Sequence, residues 1–182
     1  FSNFDDPMAY PPIYKLHALP SMKAGPGTLG NLSQPEILFW DDASAIGNRD
    51  EWYQAFANLG LVAGIDYDIY YTNDSSAQTG HGLGGWSTSA QLVGYQDLIY
   101  TSGIVDINTI SDGTYGPSGS DLGNDLGVIT GWLQQGGKDM LLTGDDIAGD
   151  LYRGGGAKGA FLNDWMGVNL VDENVLPLID VQ

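Results

Sequence analysis

Cysteine is missing altogether from this 182-residue chain, and with it go disulfide frameworks, thiol nucleophiles and thiolate metal sites. Histidine is scarce, with two copies, so a serine or threonine nucleophile has few bases to draw on. His17 lies in a proline-rich stretch and reads as a packing or surface residue, while His81 lies in a glycine-rich loop and reads as a solvated one. Basic residues are scarce as well: six Lys and Arg face 23 Asp and Glu, a formal charge of −17. Such a field repels phosphate backbones and anionic membrane surfaces, which makes nucleic acid a poor partner and cations better ones. The same acidity also keeps an extracellular or high-salt protein soluble. No apolar run approaches the ~18 residues that span a bilayer, so membrane insertion is not expected. Neither a dinucleotide-binding glycine fingerprint, nor a phosphate-binding P-loop, nor a nucleophile elbow around Ser102 is present.

What is abundant points to a folded domain. A hydrophobic share of 42% and an aromatic share of 11% suit one core of this size, with about two thirds of the unfolded surface buried. The 27 Gly, 10 Tyr and 5 Trp match the composition of exported or cell-surface proteins. The chain opens at Phe1 without a basic leader, so a processed or excerpted product is expected. Residues 1–35 carry six of the eight prolines and read as an extended arm or linker, with Tyr10, Ile13, Tyr14, Leu16 and Leu19 to bury. Residues 36–182 form the α/β domain, which is expected to run out before its own C-terminus.

Within that domain, short apolar runs alternate with amphipathic stretches, the mark of a βαβ chain. Strands are predicted over 37–40, 67–72, 97–101 and 138–143, with a fifth over 168–171. A first helix follows a cap at Asn48, with Trp52, Phe56 and Leu59 on one stripe and Gly60 as its stop. Further helical stretches are expected over 87–93, after a capping box at Ser118 and Asp121 with Leu122, Leu126, Ile129 and Trp132 or Leu133 on one face, and around Phe161, Leu162 and Trp165 up to Gly167. Right-handed crossovers and short connections give a flavodoxin-like three-layer sandwich, its mainly parallel sheet ordered 2-1-3-4.

Ligands of open parallel sheets bind beyond the carboxyl ends of the strands. Two strands here run into Asp-Asp pairs, Asp41-Asp42 and Asp145-Asp146, with Ser102 and Thr143 at the same edge. Such pairs suit three roles: capping and loop hydrogen bonds, coordination of Ca²⁺ or Mg²⁺, and acid/base chemistry. If the four carboxylates gather, a hard cation relieves their repulsion. Asp106, Asp112, Asp121 and Asp125 form a second acidic loop that could take Ca²⁺, although it does not match an EF-hand. Trp86, Tyr95 and Tyr115 are candidates for stacking on sugars. The sequons at Asn31 and Asn73 are short enough to arise by chance.

The segments "ILFWDD", "YDIYYT", "YQDLIYTSG", "WLQQGGKDMLLTGDDIAGDL" and "FLNDWMGVNLV" resemble a class I glutamine amidotransferase-like domain of the kind found inside large secreted bacterial proteins, over about three quarters of the chain. In catalytic members the strand matching Met140 to Thr143 leads into a Cys nucleophile at a sharp elbow; here that turn reads Gly144-Asp145-Asp146. The family's His-Glu partners would fall near or past Gln182. The resemblance therefore implies the fold without the amidotransferase reaction. "ILFWDD" is also similar to the acidic pair of phospho-receiver domains, but "DLIYTSG" offers Thr101 and Ser102 where those domains carry a phospho-accepting Asp.

Three functions remain open at this point. The first is a non-catalytic structural or interaction module of an exported or cell-surface protein, contacting other domains, copies of itself or glycans. The second is a metal-dependent hydrolase or cation-binding domain using Asp41, Asp42, Asp145 and Asp146. The third is a carbohydrate-binding module.

Overall fold

The computed structural model describes residues 23–24, 32–43, 49–72, 82–114 and 123–171. Most of the proline-rich arm lies outside them, as do His17, His81, Asn48, Asn73, Tyr115 and the Ser118–Asp121 capping box. What is described of the arm includes a two-residue antiparallel ladder between β1 (Lys23–Ala24) and β2 (Leu32–Ser33).

Four five-residue strands build the main sheet: β3 (Ile37–Asp41), β4 (Tyr67–Tyr71), β5 (Asp97–Thr101) and β6 (Asp139–Thr143). All pairings are parallel and the order is β4-β3-β5-β6. The predicted 2-1-3-4 order is therefore observed, and the point where the order reverses lies between β3 and β5. The central strand β3 is apolar because both of its faces are covered.

Alternation along the strands splits the core in two. Leu38, Trp40, Tyr70, Leu98 and Tyr100 point to one face, where α3 (Asp125–Leu133) supplies Leu126, Ile129 and Trp132. Leu151 of α4 (Ile147–Gly154) joins the same cluster, as do Phe161 and Leu162 from a π-helical turn (Phe161–Trp165) that continues α5 (Gly156–Ala160). Trp40 and Tyr100 meet edge-to-face at 4.8 Å. The opposite face is covered by α1 (Arg49–Asn58), whose Phe56 packs on Phe39 at 5.2 Å and on Tyr67 at 4.5 Å.

Several local expectations are corrected. Leu59 does not join the α1 stripe and is exposed, because the helix has ended: Gly60 adopts a left-handed φ of 77° and the Leu61 amide turns back to the Phe56 carbonyl. Leu61 packs on the cluster in its place. The short helix before β5 is α2 (Leu83–Trp86), and residues 89–94 form turns. Helix α3 is capped by Asn124, whose side chain accepts from the Gly127 amide at 2.7 Å. No fifth strand forms over 168–171. Gly167 takes φ 67° and the Val168 amide donates to the Leu162 carbonyl at 3.0 Å, which spends on a helix cap a group that a strand would need.

Candidate functional site

The register aligns Asp41 with Tyr71 on one side and Thr101 on the other, and Thr101 with Thr143. The carboxyl edge of the sheet thus presents Asp42, Thr72, Ser102 and Gly144 one residue further on. Pairing continues past the strands: the Asp42 amide donates to the Thr101 carbonyl at 2.9 Å, Thr72 to Asp41 at 3.1 Å and Ser102 to Thr143 at 3.0 Å.

The first acidic pair lies at this edge, fully buried, and both carboxylates are engaged within the protein. Asp41 accepts from Arg49 Nε at the start of α1 and from the Ala43 amide at 3.1 Å. The Arg49 guanidinium also lies 4.8 Å from the centre of the Tyr71 ring. Burial disfavours its charge, yet the hydrogen bond and charge of Asp41 outweigh that and raise its proton affinity above the ordinary value. Asp42 points the other way, accepting from the Thr72 hydroxyl and, at 2.6 Å, from the Tyr100 hydroxyl. Complete burial, and then the neighbouring Asp42 charge, push the Tyr100 phenol well above its usual range.

The second pair behaves differently. Asp145 and Asp146 are exposed. Asp146 takes a left-handed φ of 55° at the start of α4, makes no side-chain cap bond, and pairs with Arg153 at 2.8 Å. The turn before it is tight. Gly144 has φ 152°, and a Cβ there would meet Ser102 Oγ at 1.9 Å. Ser102 Oγ and Trp40 Nε1 are buried without a hydrogen-bond partner. Among the described residues, no three or more His, Asp or Glu side chains are grouped to hold a metal ion.

Three further buried carboxylates escaped sequence reading as structural anchors. Asp150 on α4 accepts from the amides of Asn108 and Thr109 at 3.1 and 3.0 Å and from the Thr109 hydroxyl at 2.8 Å. Asp125, at the first position of α3, accepts from the Gly84 amide at 2.7 Å and the Ser111 amide at 3.0 Å. It belongs to the acidic loop suggested for Ca²⁺; of the other members, Asp112 accepts from the Thr114 amide at 2.9 Å and Asp121 lies outside the described residues. Asp68 accepts from the Tyr95 hydroxyl at 2.6 Å. The available signal was Asp68 and Asp150 falling at apolar-periodic positions, Asp68 in "YDIYY" and Asp150 in "IAGDL".

A carboxylate that accepts two or three short donors inside the protein is a tie between chain segments. Asp150 and Asp125 together pin residues 108–111 after β5, and Asp41 and Asp42 pin the carboxyl end of β3. Comparison with protein-family models, with curated proteins and with solved structures finds no match.

Proposed function

We propose that this chain is a non-catalytic interaction or support module of an exported or cell-surface protein, built on a flavodoxin-like, glutamine amidotransferase-like frame. The observation that carries this reading is the employment of Asp41 and Asp42. At the edge where such sheets bind ligands, both carboxylates are buried and spent on Arg49, Thr72 and Tyr100. Chemistry at that edge needs groups that can change partners, and these hold strands and helix together instead. The elbow position carries exposed Asp145 and an Asp146 paired with Arg153, which suits a surface turn.

The test is photo-crosslinking in the native assembly, with a reactive residue placed in turn at exposed positions around the domain. Discrete cross-links to neighbouring domains are expected, and a chain that stays monomeric and cross-links from no surface overturns the reading. Calorimetry with Ca²⁺ and Mg²⁺ on wild type and Asp145→Asn complements it; equal heats are expected, and a site-specific heat lost in the variant favours cation binding instead.

Sugar binding has one observation in its favour, the 69% exposure of Trp86 on α2. Tyr95 does not support it, being buried and bonded to Asp68. A glycan-array signal abolished by Trp86→Ala is the result that would establish it.

A further inference from the structure

The two faces of the sheet are covered unequally. Helix α1 packs over Phe39, Tyr67 and Ile69 on the β3–β4 half, and Ile99 of β5 is at the limit of its cluster. One strand further, Leu141 is the register partner of Ile99 and shares its face. Leu141 joins neither apolar cluster and is 49% exposed. Its neighbours Met140 and Leu142, on the other face, do pack on the core. Among the described residues, a strip one helix wide along β5 and β6 therefore has no covering layer.

One end of this strip is acidic. Asp97 and Asp139 are register partners on the same face, and Glu36 immediately precedes β3. Like charges directly opposite repel. Asp97 accordingly holds its proton more tightly than an ordinary carboxyl, through burial first and then through Asp139 and Glu36. Four cations of the described residues are committed elsewhere: Arg49 to Asp41, Arg153 to Asp146, and Lys138 to the carbonyls of Val93 and Tyr95, while Lys158 is buried. A second copy of a chain with charge −17 brings more of the wrong sign to this place.

We propose that this strip docks a cationic amphipathic helix from a neighbouring protein domain, its apolar side on Ile99 and Leu141 and its basic side chains at Asp97, Asp139 and Glu36. The proposal rests on the interaction-module reading and names its surface. The dimensions agree, since about eleven helical residues span about 16 Å, the length of a five-residue strand. Helix α1, with ten residues, covers the adjoining half in that way.

The probe is a synthetic peptide of two Leu-Lys-Lys-Leu-Leu-Lys-Leu repeats, titrated into the full chain by fluorescence anisotropy. Leu141→Ser and the double variant Asp97→Asn/Asp139→Asn are each expected to weaken binding roughly tenfold. Val62→Ser, in the exposed turn before β4, is expected to leave it unchanged. Equal affinities for Leu141→Ser and wild type, or equal binding of a peptide with Glu in place of Lys, overturn the proposal. Amide-shift mapping gives a readout independent of affinity, and shifts that avoid β5 and β6 also overturn it. Native cross-links at other surfaces with none at Leu141 remove this strip and leave the module reading intact, whereas absence from every surface removes both.

Discussion

The hydroxyl of Tyr100 donates to Asp42 Oδ2 at 2.6 Å, across the point where the strand order reverses and wholly inside the protein. The bond joins the two central strands through side chains where a ligand would otherwise lie. Tyr100→Phe removes the donor and leaves a buried carboxylate oxygen short of a partner, so a loss of about 1–3 kcal/mol is expected in chemical denaturation. Combined with Asp42→Asn, the loss should fall below the sum of the two single variants, since both break one bond. Strict additivity would show that the pair is not coupled.

Arg49 is the cation that balances Asp41. Arg49→Met keeps the stem over Tyr71 but strands a buried charge, and a loss of about 2 kcal/mol is expected, moderated because the guanidinium is partly solvated. Thermal melts of Arg49→Met and Arg49→Met/Asp41→Asn check this, and the second variant should recover part of the loss.

Gly144 and Ser102 make opposite predictions at one contact. Gly144→Ala drives a methyl into Ser102 Oγ and is expected to cost about 2–3 kcal/mol. Ser102→Ala deletes a hydroxyl that has no partner and should be neutral or slightly stabilising. Urea unfolding of both variants reads the contrast directly.

Asp97 sets a pH dependence. Because its carboxyl binds a proton more tightly in the folded chain than in the unfolded one, ionisation of Asp97 opposes folding. This contribution is absent below the ordinary carboxyl range near ~3.9 and appears as the pH rises through and above it. Asp97→Asn should therefore raise stability by up to about 0.5 kcal/mol at neutral pH, after allowance for solvent screening. The gain should vanish below about pH 4 in denaturation curves, and a gain that persists in acid would assign the effect to something other than charge.

The sheet was legible because buried strands announce themselves. "ILFW" and "DLIYT" are continuous apolar or β-favouring runs, and short right-handed connections leave few orders to choose from. Helix α3 was legible from its period, while its start was not, since the expected box at Ser118 and Asp121 precedes the cap that Asn124 provides. The acidic edge was located correctly, and of the three roles open to it the structure shows internal hydrogen bonding for Asp41 and Asp42. Adjacent residues leaving a strand point to opposite faces, so Asp41 finds Arg49 and Asp42 finds Tyr100. The partners of Asp125 and Asp150 were opaque for another reason. Asp150 accepts from main-chain amides 41 and 42 residues away, and the Gly84 amide that serves Asp125 is 41 residues away. Main-chain donors leave no trace in side-chain pattern.

Placing the two apolar clusters on opposite sides of the sheet makes their persistence unequal. The layer under α1 rests on Phe39, Phe56 and Tyr67, whereas the opposite layer engages α3, α4 and the π-helical turn around Trp40, Tyr100 and Trp132. Helix α1 can then detach while the strands and the other helices stay assembled, so its amides should exchange with deuterium through a lower-energy opening than those of β3 and β5. On that ordering the domain has a lasting half and a yielding half, divided by the sheet itself.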